Sequence, residues 1–158
     1  MTGLIGSGGE FGYARWTLIS QLQLIIVAAP ALALSTRDAA KLTALLLSND
    51  KEVKSLNRAW RGKNKPTNVL SFPAAAQKLP RGEVRPLGDV ILSYETCAKE
   101  AKAAGKSLSD HAVHLTLHGL LHLTGHDHIN DVDAHKMEAK EIRILAKLGI
   151  ANPYVLEH

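Results

Sequence analysis

One cysteine, Cys97, stands among the 158 residues of this chain. That excludes an internal disulfide and a zinc cluster built on several thiolates, and it fits a reducing cytoplasm. Aromatic side chains make up only 4% of the sequence. The core must therefore rest on Leu, Ile, Val and Ala, and few rings remain for a base-stacking platform of the usual kind. No apolar run is long enough to span a bilayer, which takes about 20 residues. The nearest is Leu24 to Leu34, and Pro30 breaks it. That run follows Arg15 and contains Ala31-Leu32-Ala33, as a secretory leader would. Against a leader, Glu10 offsets Arg15, Gln21 and Gln23 interrupt the apolar stretch, and the chain starts glycine-rich rather than basic. Thr17 to about Ala29 is read instead as a buried amphipathic helix, and the protein as cytoplasmic with no membrane contact.

What is present is an ordinary soluble domain: 46% hydrophobic, 22% charged, and long enough to bury one core. The formal charge of +4 favours an acidic partner such as nucleic acid, though only weakly. Gly6-Ser7-Gly8-Gly9-Glu10-Phe11 resembles a linker and cloning scar, and Leu156-Glu157-His158 the start of a histidine tag. Residues 1–16 are thus expected to be foreign or disordered, 17–154 to form a single domain, and 155–158 to be tag. His158 is left out of any metal argument.

Periodicity and punctuation predict the elements. Leu42 to Leu47 suits a buried strand, although a helix fits the same run. Ser48-Asn49-Asp50 offers caps for a helix to about Trp60, closed by Gly62. Asn68 to Phe72, bounded by Pro66 and Pro73, suits an edge strand. Gln77 to Pro86 reads as a loop, Leu87 to Ser93 as a strand, and Glu95 to Ala104 as a helix. Ser107 and Asp110 have capping-box spacing and open the next helix. A last helix runs from about Val132 to Leu148, with Ala134, Met137, Ile144, Leu145 and Leu148 as its apolar stripe. The intermixing predicts an α/β (α+β) fold with a small mixed sheet and about five helices.

Chemistry concentrates in His118-Gly119-Leu120-Leu121-His122-Leu123-Thr124-Gly125-His126-Asp127-His128. Residues four apart share a helix face, so His118 and His122 can grip one ion. Gly125 can then turn the chain so that His128 adds a third imidazole. Three nitrogens and an open fourth position describe a catalytic zinc site. The pattern matches that of the zinc proteases at every position but one: where they carry the water-activating glutamate, this chain has Gly119. His111 and His114 lie on the same helix face. His111 reads as an ordinary surface or hydrogen-bonded residue, and His114 as a groove residue or a support behind the ligands. Asp127 can orient a ligand imidazole or cap the turn. His126 is the alternative ligand. Imidazole also suits nickel, copper and iron, so Zn2+ is the default choice.

A second cluster is basic. Arg58, Arg61, Lys63 and Lys65 precede the predicted edge strand, where a guanidinium fork and flexible ammonium groups suit phosphates. Spacing alone does not decide between a solvated loop and a cleft wall.

Three segments, taken together and in order, resemble the YbeY family of bacterial metal-dependent endoribonucleases that mature ribosomal RNA. They are Asn57-Arg58-Ala59-Trp60-Arg61-Gly62-Lys63-Asn64-Lys65-Pro66-Thr67-Asn68-Val69-Leu70-Ser71-Phe72-Pro73, then Leu87-Gly88-Asp89-Val90, and then the stretch from His118 to His128. The resemblance runs from about Leu42 to Tyr154. It departs before Leu42, and at His126, where the family commonly carries Tyr. It implies His118, His122 and His128 as zinc ligands and Arg61 as the basic residue facing the metal. Arg61, Lys63, Lys65, Asn68, Ser71 and His114 become the expected substrate contacts, with Asp127 supporting the ligands. The expected function is single-strand cleavage in ribosomal RNA processing, namely 16S 3′-end maturation, and in ribosome quality control. The substrate partner is the ribosome, with a ribosomal protein or GTPase as a further candidate; the oligomeric state stays open. The nucleophile is either metal-activated water or the ribose 2′-hydroxyl. Two other classes stay in view: a ribosome-assembly factor with structural zinc, and a metallohydrolase such as a peptidase, which Gly119 argues against.

Overall fold

The computed structural model describes residues 43–74, 80–81, 87–125 and 129–155. Three strands and four helices follow one another: β1 (Thr43–Ser48), α1 (Asp50–Arg61), β2 (Val69–Pro73), β3 (Gly88–Ser93), α2 (Tyr94–Ala103), α3 (Leu108–Leu123) and α4 (Asp131–Lys147). This is the expected α+β class with a small mixed sheet, and the run near Leu42 resolves as a strand. The fifth expected helix, Thr17 to Ala29, lies outside the described residues, as does most of the Gln77–Pro86 loop. No helix among the described residues is long and apolar enough to cross a membrane.

The sheet order is β1-β3-β2, with β1 parallel and β2 antiparallel to β3. Among the described strands, the proline-bounded β2 is therefore an edge, as its sequence suggests. Register sorts the side chains onto two faces. Leu45 and Leu47 pair with Val90 and Leu92 and join the main core with α2, α3 and α4. Leu70 pairs with Ile91 on the other face, where both pack with Val53 of α1. Helix α1 thus covers one side of the sheet and α3 the other.

Local chemistry sets the helix ends. The Asn49 side chain accepts from the Glu52 N–H at 2.9 Å, Ser107 from Asp110 at 3.0 Å, and Asn130 from Asp133 at 2.8 Å. After α1, Gly62 is left-handed, and Gly62 N and Lys63 N close onto Arg58 O and Asn57 O. Gly88 opens β3 at φ 138°, and a Cβ there would come within 2.1 Å of Phe72 O, so the Leu-Gly-Asp motif admits only glycine.

Helix α3 is buried on most of its circumference: Ala112, Val113, Leu115, Thr116, Leu117, Leu120 and Leu121 are all inside. Its backbone lies close to the sheet at Gly119. A Cβ there would lie 2.8 Å from Ser71 Oγ and 2.9 Å from a Val90 methyl. Position 119 is glycine because the helix backbone lies directly against β2 and β3.

Candidate metal centre

The four histidines of α3 form one row along it, as their spacing predicts, with ring centroids 6.3, 6.4 and 4.7 Å apart in sequence order. Their surroundings divide them. His111 pairs with Glu100 of α2 at 2.7 Å. His114 turns to Glu141 of α4 at 3.3 Å and to the Tyr154 hydroxyl at 3.4 Å, behind the cleft rather than on its wall. Its Nδ1, like that of His111, is buried without a hydrogen-bond partner among the described residues, so a proton on Nε2 suits both rings. Only His118 and His122 open onto the cleft.

Glu141 organises this row. It is fully buried on the apolar stripe of α4, one turn from Met137 and one from Leu145, and sequence reading passed over it. A carboxylate in the middle of a core stripe was the available signal, since a buried charge needs partners. Glu141 Oε1 accepts from His118 Nδ1 at 2.6 Å. Oε2 accepts from His114 and from the hydroxyl of Tyr154. Burial alone would raise the Glu141 carboxyl, but hydrogen bonds from His114, His118 and Tyr154 outweigh it and hold it at about 2. Burial first, then the bond to Glu141 and the charges of Glu141 and Glu138, raise the Tyr154 phenol far above its usual range, so it stays a donor.

With Nδ1 protonated toward Glu141, His118 presents the lone pair of Nε2. That nitrogen lies 3.1 Å from His122 Nε2. Two zinc–nitrogen bonds of about 2.0–2.1 Å at a tetrahedral angle would place their nitrogens about 3.3 Å apart. The pair therefore fits one ion, and a carboxylate on the far nitrogen is the usual support for a ligand imidazole. Among the described residues no third ligand converges with them. His126, Asp127 and His128 lie outside the described residues. Gly125 has φ 98° directly after the helix, the turn the sequence reading requires there.

Beside the imidazoles is a cavity of about 650 Å³ lined by Arg61, Lys63, Lys65, Asn68, Ser71 and others. No carboxylate is among the described lining residues. Arg61 reaches to β2: Nη2 donates to Ser71 O at 3.0 Å, and the guanidinium lies 6.0 Å from the Phe72 ring centre. The basic loop is fastened by Asn57, a buried residue whose amide donates to Lys65 O at 2.9 Å. Sequence reading assigned Asn57 no role. Two expected contacts have their donors engaged elsewhere. Ser71 Oγ donates to Gly119 O at 3.2 Å, and the Asn68 amide bonds both oxygens of Glu100 at 3.0 and 3.2 Å.

Cys97 is fully buried, and burial, aided by the charges of Glu100 and Asp50 against a backbone hydrogen bond from Ser93, pushes its thiol to about 12. It belongs to the core, not to the site.

Comparison with known proteins gives the family. The family model described as Endoribonuclease YbeY matches residues 18–149. A relative from Erythrobacter litoralis, named Endoribonuclease YbeY, is 54% identical over 118 residues, covering 71% of this chain and 73% of that one. Another of that name from Sphingopyxis alaskensis is 53% identical over 126 residues, 74% of each chain. The solution structure of TM1509 from Thermotoga maritima superposes with a TM-score of 0.53 at 19% identity, over 99% of this chain and all of that one. At that identity the likeness concerns the fold alone.

Proposed function

Because the chain belongs to the YbeY endoribonuclease family, we propose that it is a metal-dependent endoribonuclease cutting single-stranded segments of ribosomal RNA. Its tasks on this reading are 16S 3′-end maturation and ribosome quality control in the cytoplasm, with a ribosomal protein or GTPase presenting the substrate. One observation carries the reading. Two imidazole nitrogens 3.1 Å apart open onto a cleft lined by Arg61, Lys63 and Lys65 and, among its described residues, by no carboxylate. Such a cleft suits a polyanion.

His118, His122 and His128 would hold the ion, with zinc as the expected metal and Asp127 supporting the third ligand. When bound, the ion supplies a Lewis acid that polarises a phosphoryl oxygen and lowers the pKa of water. The protein's own contribution is positioning and charge. Glu141 keeps His118 in the tautomer with its lone pair toward the cleft. Arg61, tethered by one donor to Ser71 O, keeps its other N–H groups for the phosphate and stabilises charge developing there. Lys63 and Lys65 hold the strand by its backbone, which carries no sequence information. Asn68 and Ser71 shape the wall, and His114 acts through Glu141.

A peptidase has less support. The position of the protease glutamate is Gly119, where even a methyl would press on Ser71 and Val90. The test compares metal-loaded protein, a chelated sample and His122→Ala on ribosomal RNA with the product ends mapped. Cleavage by the loaded wild type alone is the expected outcome, and the ends identify the nucleophile. Equal cutting by all three would place the activity elsewhere. If chelation unfolds the protein and the loaded form cuts no RNA, the assembly-factor reading replaces this one.

A further inference from the structure

Few aromatics does not mean none in the right place. Trp60 is the last residue but one of α1, and 73% of it is exposed. A ring of this size left in water forgoes the stabilisation that its burial would bring. It is also held rather than loose. The indole meets the Phe72 ring edge-on, with centroids 6.1 Å apart and planes at 61°. Phe72 in turn lies under the Arg61 guanidinium, whose Nη2 is bonded to Ser71 O. One rigid cluster on the edge of β2 thus carries an exposed π-face immediately beside the arginine that lines the cleft.

Charge decides what fits this face. Arg61 follows Trp60 directly, and Lys63 and Lys65 continue the cationic track along the cleft. An apolar segment of another protein would have to desolvate these cations. A single-stranded nucleic acid neutralises them with phosphates and offers unpaired bases to the ring.

Resting on the nuclease reading above, we propose that Trp60, braced by Phe72, is a stacking site for one unpaired base of the RNA whose phosphates lie on Arg61, Lys63 and Lys65. Trp60 is a substrate-binding residue outside the metal centre. It fixes which nucleotide sits next to the cleft without reading its identity, since every base has a π-face.

The test uses metal-loaded protein and short 2′-O-methyl oligoadenylate, with strand integrity checked by electrophoresis, against an abasic strand of the same length. In a Trp16→Phe background Trp60 is the one remaining indole and reports stacking by its fluorescence, while anisotropy of a 5′-labelled strand gives the affinity of every variant. Stacking predicts quenching by the base-bearing strand and a preference for it of about 5- to 150-fold, the range for one stacked base. Trp60→Ala and Trp60→Leu lose that preference, while Trp60→Phe keeps most of it. On ribosomal RNA, Trp60→Ala raises KM more than it lowers kcat. If Trp60→Ala binds both strands as the wild type does, while the wild type still binds and cuts RNA, the stacking site is wrong and the nuclease reading stands. If the wild type binds no RNA, both fall.

Discussion

At the scale of single residues, Glu141 has the largest consequence for its environment. Its carboxylate serves three donors from inside the core, and one of them orients a proposed ligand. Glu141→Gln preserves shape but removes the charge, and loss of such a support typically weakens metal binding about 10- to 100-fold. We expect that loss in a competition titration against a chromophoric chelator, with Arg61→Ala unchanged in the same assay. The carboxyl also links stability to pH. Its folded-state value of about 2 lies below the unfolded value of about 4.3, so the stabilisation is complete above about pH 4.3 and fades as pH falls toward 2. Urea unfolding of metal-free wild type and Glu141→Gln between pH 2 and 5 should converge at the acid end and separate above it. Curves that stay parallel would mean the carboxylate is not stabilised by its partners.

At the scale of elements, the meeting of α3 with the sheet explains the one departure from the protease pattern. The histidine spacing needs only a helix, but Gly119 is set by how near that helix lies to Ser71 and Val90. Overpacking there costs about 1–3 kcal/mol, and alanine in a helix interior recovers about 1 kcal/mol over glycine. Gly119→Ala should therefore lose no more than about 2 kcal/mol, a Tm drop of up to about 8 °C for a chain of this size. Gly119→Glu adds a carboxylate with no room and no partner, and should yield no stable fold and no peptidase activity. A well-folded Gly119→Glu protein in thermal denaturation would show that α3 and the sheet are not in close contact at that position. The sequence indicates a glycine at 119, but not that β2 and β3 exclude everything else.

At the scale of the whole molecule, a modest formal charge of +4 is less informative than where the cations lie. Arg61, Lys63 and Lys65 share one cleft because α1 ends at the edge of β2 and Asn57 ties the loop between them. If each neutralises one phosphate of a single strand, log K should fall against log salt with a slope of about −2, and Lys63→Ala or Lys65→Ala should lessen it by about 0.7. Binding that ignores salt would separate the basic loop from the RNA path. The sequence by itself determined what depends on local spacing: a cap within Ser48-Asn49-Asp50, the cap at Ser107, the proline-bounded strand, and the pairing of His118 with His122 one turn apart. These follow from helix and strand geometry within a few residues of each other. The tertiary structure alone decided that His114 faces Glu141, that Glu141 reaches His118 across 23 residues of chain, that Asn57 holds Lys65, and that Trp60 stays exposed beside Arg61. Those relations depend on how α1, α3 and α4 pack against the sheet and one another, and packing between distant elements leaves no fixed interval in the sequence.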